Sequence, residues 1–202
     1  TRPRTFGSDQ TEQLQAFIAS AIGASSVAIH SAALLSGGAI CENWHIVADV
    51  DGGRLAGRHH WVLRTDAAAR MAMSHDRLTE FEIIRAAHQI GVAVPHPIAA
   101  SADLAIIGAP FMVVGRVAGS AQARKLVRDP GLAGFGEALA GELGRQLARL
   151  HRLTPSTPGV TVRDRLPLPG LAPGRQQAAQ MRGHLDNLTV ARPALEYVIG
   201  WL

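Results

Sequence analysis

The sequence predicts an α+β fold: a five-stranded antiparallel sheet carrying a helix, followed by the first helices of an all-helical region. Three observations predict it. Three strand-like runs succeed one another across tight turns between residues 27 and 64. One amphipathic helix then separates them from two more extended runs. After Gly119 the apolar residues recur every three or four positions, the helical period.

Residues 9–22 place Leu14, Phe17, Ile18 and Ile22 on one helical face; Ser8 or Asp9 can cap the start, and Gly23 ends it. Residues 27–35 suit a strand, and residues 36–39 a turn. Residues 43–50 alternate apolar and polar, as a half-buried strand does, and Asp51-Gly52-Gly53 is a strong hairpin turn. Residues 60–64 give a third strand. The helix over 76–90 has Leu78, Phe81, Ile84 and Ala87 on its apolar face and stops at Gly91. Residues 92–97 are extended, because Pro95 and Pro97 forbid helix. Residues 104–107 and 110–117 are expected to be the last strand pair, turning at Gly108-Ala109.

Residues 132–153 are helical, and Leu139, Leu143, Leu147 and Leu150 on that helix are expected to be core. A loop rich in proline and glycine over 154–173 precedes helices at 176–188 and 192–202. The chain thus divides into a lobe over 1–115, with its leading helix, and the start of a helical lobe over 116–202.

Composition excludes several classes. With 47% hydrophobic and 18% charged residues among 202, the chain is not a disordered one. A single cysteine, Cys41, rules out an internal disulfide or a cysteine-rich zinc site. The net charge is +4, and the pI of about 10.5 overstates it, since every base but Lys125 is an arginine. The arginines are interleaved with 16 acids, which argues against nucleic-acid binding. The longest apolar run, over 104–114, is broken by Gly108 and Pro110 and is too short for a bilayer. With no secretory signal at its start, the chain is expected to be soluble and cytoplasmic, away from membranes. Metal, serine-hydrolase, P-loop and dinucleotide motifs are all missing. Of nine histidines, the adjacent His59 and His60 point to opposite faces of a strand and would not share a metal.

The informative feature is an ordered set. A glycine turn over 36–43 joins the first two strands, Arg64 ends the third, Glu80 lies in the next helix, and Val114-Gly115-Arg116 leads into the helical region. Glycine lets backbone N–H groups approach phosphate oxygens without a Cβ clash. A cation on strand three can hold the α- and β-phosphates, and a helix carboxylate can hold that cation. The connecting segment can meet the edge of an adenine. Each part also has a plain reading: Gly37-Gly38 as a hairpin turn, Arg64 as a surface cation, Glu80 as a solvated acid with Glu82 the true partner, Cys41 as a passive small residue.

Six segments in this order resemble the aminoglycoside phosphotransferase-like family of small-molecule kinases, whose N-terminal lobe is protein-kinase-like. They are LSGGAICENW at 35–44, WVLRT at 61–65, TEFEIIRAA at 79–87, VPHP at 94–97, GAPFMVVGRVAG at 108–119 and LARLHRL at 147–153. The resemblance implies that Gly37, Gly38 and Ala39 form the phosphate-side loop. It implies that Arg64 replaces the strand-three lysine, that Glu80 is its helix partner, and that Val114, Gly115 and Arg116 receive the base. It further implies an ATP- (or GTP-) dependent phosphotransferase using Mg²⁺, with a nucleotide and a small hydroxylated molecule as partners.

Two departures stand out. Arginine is bulkier than lysine and forked, so it meets phosphate in a different geometry. The family's catalytic loop, H-G-D-x-x-x-x-N, has no counterpart; His184-Leu185-Asp186-Asn187 lacks its glycine and its asparagine spacing. The catalytic Asp is therefore expected beyond Leu202, and the chain alone to be inactive. The alternative is a noncatalytic kinase-like module that binds a nucleotide or a partner.

Overall fold

The computed structural model describes residues 6–35, 41–66, 74–119, 122–132, 134–154, 156–157, 165–166, 170 and 172–201. Helix α1 (Ser8–Ile22) leads into strands β1 (Ser26–Leu34), β2 (Cys41–Asp51) and β3 (Gly57–Asp66). Helix α2 (Arg77–Gln89), strand β4 (Pro97–Ser101), the short helix α3 (Leu104–Ile107) and strand β5 (Phe111–Gly115) follow. Helices α4 (Ala123–Arg128), α5 (Gly136–Leu150), α6 (Pro173–Asp186) and α7 (Pro193–Trp201) complete the chain. None of the described helices is long and apolar enough to cross a membrane. The chain forms two compact units, Thr1–Val162 and Arg163–Leu202.

In the first unit the five strands run in the order β1-β2-β3-β5-β4, every neighbour antiparallel. The two-residue side-chain period separates its faces. One face carries Trp44, Ile46, Ala48, Val50, Trp61, Leu63, Phe111 and Val113, all buried with Leu14 and Ile18 of α1. Phe17 of α1 meets Phe111 edge-on at 5.5 Å. The other face carries Cys41, Asn43, His45 and Val47 from β2 and His60, Val62, Arg64 and Asp66 from β3. Helix α2 packs beside β3, β5 and β4.

Several expectations are corrected. Residues 104–107 are helix, not strand. The Asp103 carboxylate accepts from the Ala105 N–H at 2.9 Å, and Gly108, at φ +77°, donates to the Leu104 carbonyl at 2.8 Å. These local caps decide a four-residue apolar run that suits either state. The remaining strand is β4, which begins at Pro97 on the sheet edge, where a missing N–H costs least. Helix α1 is capped at Gly7, whose N–H donates to Gln10 Oε1 at 3.2 Å, rather than at Ser8 or Asp9. On α2, Arg77 and Thr79 are buried while Leu78, Phe81 and Ile84 are half-buried. Helix α4 lies where no element was expected. The leucines of α5 expected to be core are exposed by 41–61%. Most of the loop expected over 154–173 lies outside the described residues.

In the second unit α6 opens with Pro173 and packs against α7, and Arg182 forms an ion pair with Glu196.

Candidate functional site

The β2–β3 register sets Arg64 opposite Asn43, and the β3–β5 register sets it opposite Met112. Its side chain emerges on the face beside α2. There Arg64 Nη1 meets Glu80 Oε1 at 2.8 Å, with the Arg64 side chain 38% exposed and that of Glu80 23%. Glu80 sits one turn into α2, whose N-cap, Asp76, accepts from the Thr79 N–H and hydroxyl, both at 2.8 Å. Glu82, the other acid weighed as a partner, pairs with Arg85.

Glu80 also binds a second cation. Its Oε2 pairs with Arg77 Nη1, three residues earlier on the helix. The Arg77 side chain is 3% exposed, and its Nε lies 2.9 Å from Asp66 Oδ1. The result is a line of alternating charge, Asp66–Arg77–Glu80–Arg64, anchored in the interior and ending at the surface on Arg64. The buried Cys41 thiol lies within 3.5 Å of Arg64 Nη2 and of Arg77 Nη1. It packs between the two guanidiniums as a small side chain. Arg64 has five N–H donors, of which Glu80 and Cys41 engage two nitrogens.

At the other end of the same face, Val114 is buried, Gly115 half-buried and Arg116 exposed. The Gly115 N–H donates to the His96 carbonyl at 2.7 Å, and the Arg116 N–H to the His60 carbonyl at 2.9 Å. Those two donors are therefore taken within the sheet. Gly115 is close to its neighbour: a Cβ there would stand 3.4 Å from His96 Cβ. Gly37, Gly38 and Ala39, expected to form the phosphate-side loop, lie outside the described residues.

Val62 and His60 share this face of β3 with Arg64, and His45 stands beside Val62 on β2, the side of β3 away from β5. His45 Nε2 and His60 Nδ1 are hydrogen-bonded at 3.0 Å. Burial, then the nearby Arg116 charge and then His60 hold the His45 pKa below its ordinary value, which favours the neutral ring. Among the described residues no group of three His, Cys, Asp or Glu side chains could hold a metal ion. His59 and His60 do point apart: His59 bonds the Leu55 carbonyl at 2.7 Å and lies against Trp61.

The phosphotransferase enzyme family model matches residues 31–202, most of the chain and all of this site. The chain belongs to that family. Its structure is similar to the crystal structure of a putative aminoglycoside phosphotransferase from Ralstonia eutropha JMP134, at 20% identity and a TM-score of 0.61. The match covers 95% of this chain and 52% of that one, so the chain spans about half the length of its structural neighbour. No curated protein is significantly similar to the chain. The α+β, kinase-like fold expected from the sequence is the fold shared with this neighbour.

Two features of this family member escape sequence reading. Arg77 carries one faint signal, an arginine three residues before Glu80 at a helix start. The pairing of His45 with His60 depends on strand register, and nothing local to either residue announces it.

Proposed function

We propose that this chain holds the nucleotide in an ATP-dependent phosphotransferase that acts on a hydroxyl of a small molecule. Residues 1–115 would serve as the nucleotide lobe, and residues 116–202 would begin the helical lobe. The observation that carries the proposal is the Arg64–Glu80 ion pair on the open face of the sheet, backed by Arg77. A guanidinium fixed by a carboxylate presents its remaining N–H groups in a set direction, and a polyphosphate offers oxygens to match. Arg64 would hold the α- and β-phosphates, Glu80 would orient Arg64, and Gly37, Gly38 and Ala39 would supply backbone donors. Val114, Gly115 and Arg116 would border the base, with backbone carbonyls as the acceptors.

Phosphoryl transfer rests on positioning and charge neutralisation, and these residues contribute to both. Among the described residues no group of three His, Cys, Asp or Glu side chains could hold a metal ion, and no metal ligand is assigned to them. The 202 residues contain no H-G-D-x-x-x-x-N sequence, and the proposal gives them the nucleotide-holding part of the reaction alone.

Calorimetric titration with ATP and with GTP tests this. Saturable binding that Arg64→Ala weakens by an order of magnitude or more is the expected result. A chain that binds neither nucleotide at millimolar concentration overturns it. One observation favours a second reading, a noncatalytic partner-binding module: the exposed leucines of α5. Nucleotide binding that survives Arg64→Ala intact would move the assignment there.

A further inference from the structure

The cavity beside α4 has a charge pattern of its own. It holds about 550 Å³ and is lined by Gln122, Arg124, Arg128, Asp129 and Pro130, all exposed. Arg124 and Arg128 stand four residues apart on α4, which puts them on one face of the helix. Two like charges one turn apart repel, so the pair carries a small cost until an anion joins it. Arg58, Arg64, Arg77, Arg85 and Arg145 each pair with an acid. Among the described residues the Arg124 and Arg128 side chains have no such partner.

Asp129 supplies the opposite chemistry at the end of α4. Its Oδ1 accepts from the Gly131 N–H at 2.9 Å, which fixes the carboxylate in place. Its Oδ2 has no partner among the described residues. The cavity thus offers two forked donors and one placed acceptor. A guanidinium fork matches the paired oxygens of a carboxylate or a phosphate, and a carboxylate oxygen accepts from an O–H. We infer that the cavity binds a small hydroxylated anion, its charged head on Arg124 and Arg128 and a hydroxyl donating to Asp129. This rests on the phosphotransferase reading above and gives the hydroxyl-bearing substrate a charge class. Residues 116–122 join β5 to α4, so the cavity follows directly along the chain on the segment assigned to the base.

Other occupants fit less well. A bare polyphosphate chain offers no donor to Asp129. A polyamine or a divalent cation would meet two guanidiniums against one carboxylate, and Lys125 adds a further positive charge to the same helix. The volume is that of a small-molecule site.

The test separates the charged head from the hydroxyl. Glycerol 3-phosphate and 3-hydroxybutyrate carry the two kinds of head, and propyl phosphate and butyrate are their counterparts without a hydroxyl. Each is titrated at low salt into the 202-residue chain, and the Arg124 and Arg128 Nε–H resonances are followed. At least one hydroxylated probe is expected to give saturating shifts at millimolar concentration. Replacing both arginines, Arg124→Gln with Arg128→Gln, should weaken that probe by about tenfold or more and leave the melting temperature unchanged. The probe should bind several-fold tighter than its counterpart, and Asp129→Ala should erase the preference. ATP affinity should be indifferent to the double variant, and probe affinity to Arg64→Ala.

A chain that binds ATP but neither hydroxylated probe overturns the inference and leaves the nucleotide reading intact. Shifts that never saturate, or binding untouched by the double variant, overturn it too. Equal affinity with and without the hydroxyl removes the role of Asp129 and with it the proposed ligand class. Displacement of the probe by ATP would put it on the nucleotide's phosphate contacts, which also overturns the separate site. A chain that takes the probe but neither ATP nor GTP keeps the cavity's ligand and removes the nucleotide reading instead.

Discussion

At the scale of single residues, the two arginines on Glu80 divide the labour of structure and binding. Arg77 is buried between Asp66 and Glu80, so removing it takes a buried guanidinium from two half-buried carboxylates. Arg77→Ala is therefore expected to cost about 3 kcal/mol of stability, the scale for breaking a buried pair from one side. Urea unfolding measures it; a loss below about 1 kcal/mol would show that Arg77 does not hold this corner together. Arg64 is 38% exposed, so Arg64→Ala should barely move the urea midpoint while it weakens nucleotide. The histidines add a pH dependence whose sign is fixed. Burial first, then neighbouring cations, lower the His45 and His96 pKa values below 6.5; the neighbours are Arg116 and His60 for His45, and His88, Arg54 and His59 for His96. At pH values just below 6.5 the unfolded chain thus binds more protons than the folded one. Stability from these two rings is fully present above 6.5 and is lost as pH falls through the lowered folded values. Melting temperatures at pH 7.5 and 5.5 should differ in that direction, and a variant with His45→Asn and His96→Asn should show a smaller difference. An unchanged slope in that variant would assign the effect to other groups.

At the scale of elements, the parts that were legible are those whose own residues settle their state. The alternation in β2 and the Asp51-Gly52-Gly53 turn identify a hairpin without help from the rest of the chain. The run Leu104 to Ile107 is different: four apolar residues carry no period, and the caps at Asp103 and Gly108 make it helix. Pro97 hid β4, because a proline excludes helix and a central strand alike but is tolerated where an edge strand starts. The β2–β3 turn also carries a constraint that sequence alone does not show. Gly53 has φ +72°, and a Cβ added there would stand 2.7 Å from the Gly23 carbonyl oxygen at the end of α1. Gly23 has a similar φ of +67° with nothing within 4 Å of its own missing Cβ. Both alanine variants carry the left-handed penalty of roughly 1–2 kcal/mol, and only Gly53→Ala adds a backbone collision. Gly53→Ala should accordingly be the more destabilised in thermal melts. Equal losses in the two variants would mean that the turn and the helix end move apart freely.

At the scale of the molecule, the candidate site was partly legible for the same reason. Arg64 and Glu80 lie 16 positions apart with ordinary spacing cues, a strand end and a helix turn, and the order of parts sufficed to pair them. Arg77 with Asp66, Cys41 with both arginines, and His45 with His60 are joined by strand register and helix docking, which a linear reading does not supply. Burial of the α5 leucines failed for a related reason: a helical stripe predicts that one face seeks cover, but not which element covers it. Leu139, Leu143 and Leu147 are 59%, 61% and 52% exposed on one side of α5, with Leu150 at 41%. The helix is held to the rest of its unit by polar contacts instead, from Gln146 to the Ala93 N–H at 2.7 Å and from Arg149 to the Gly91 carbonyl at 3.2 Å. A contiguous apolar face open to water drives association. The 202-residue chain should therefore self-associate with rising concentration in sedimentation experiments, and Leu143→Gln with Leu147→Gln should shift it towards monomer at little cost in melting temperature. If the double variant instead melts far earlier, the stripe is buried in the folded chain after all, and the polar contacts of Gln146 and Arg149 are not what fixes α5.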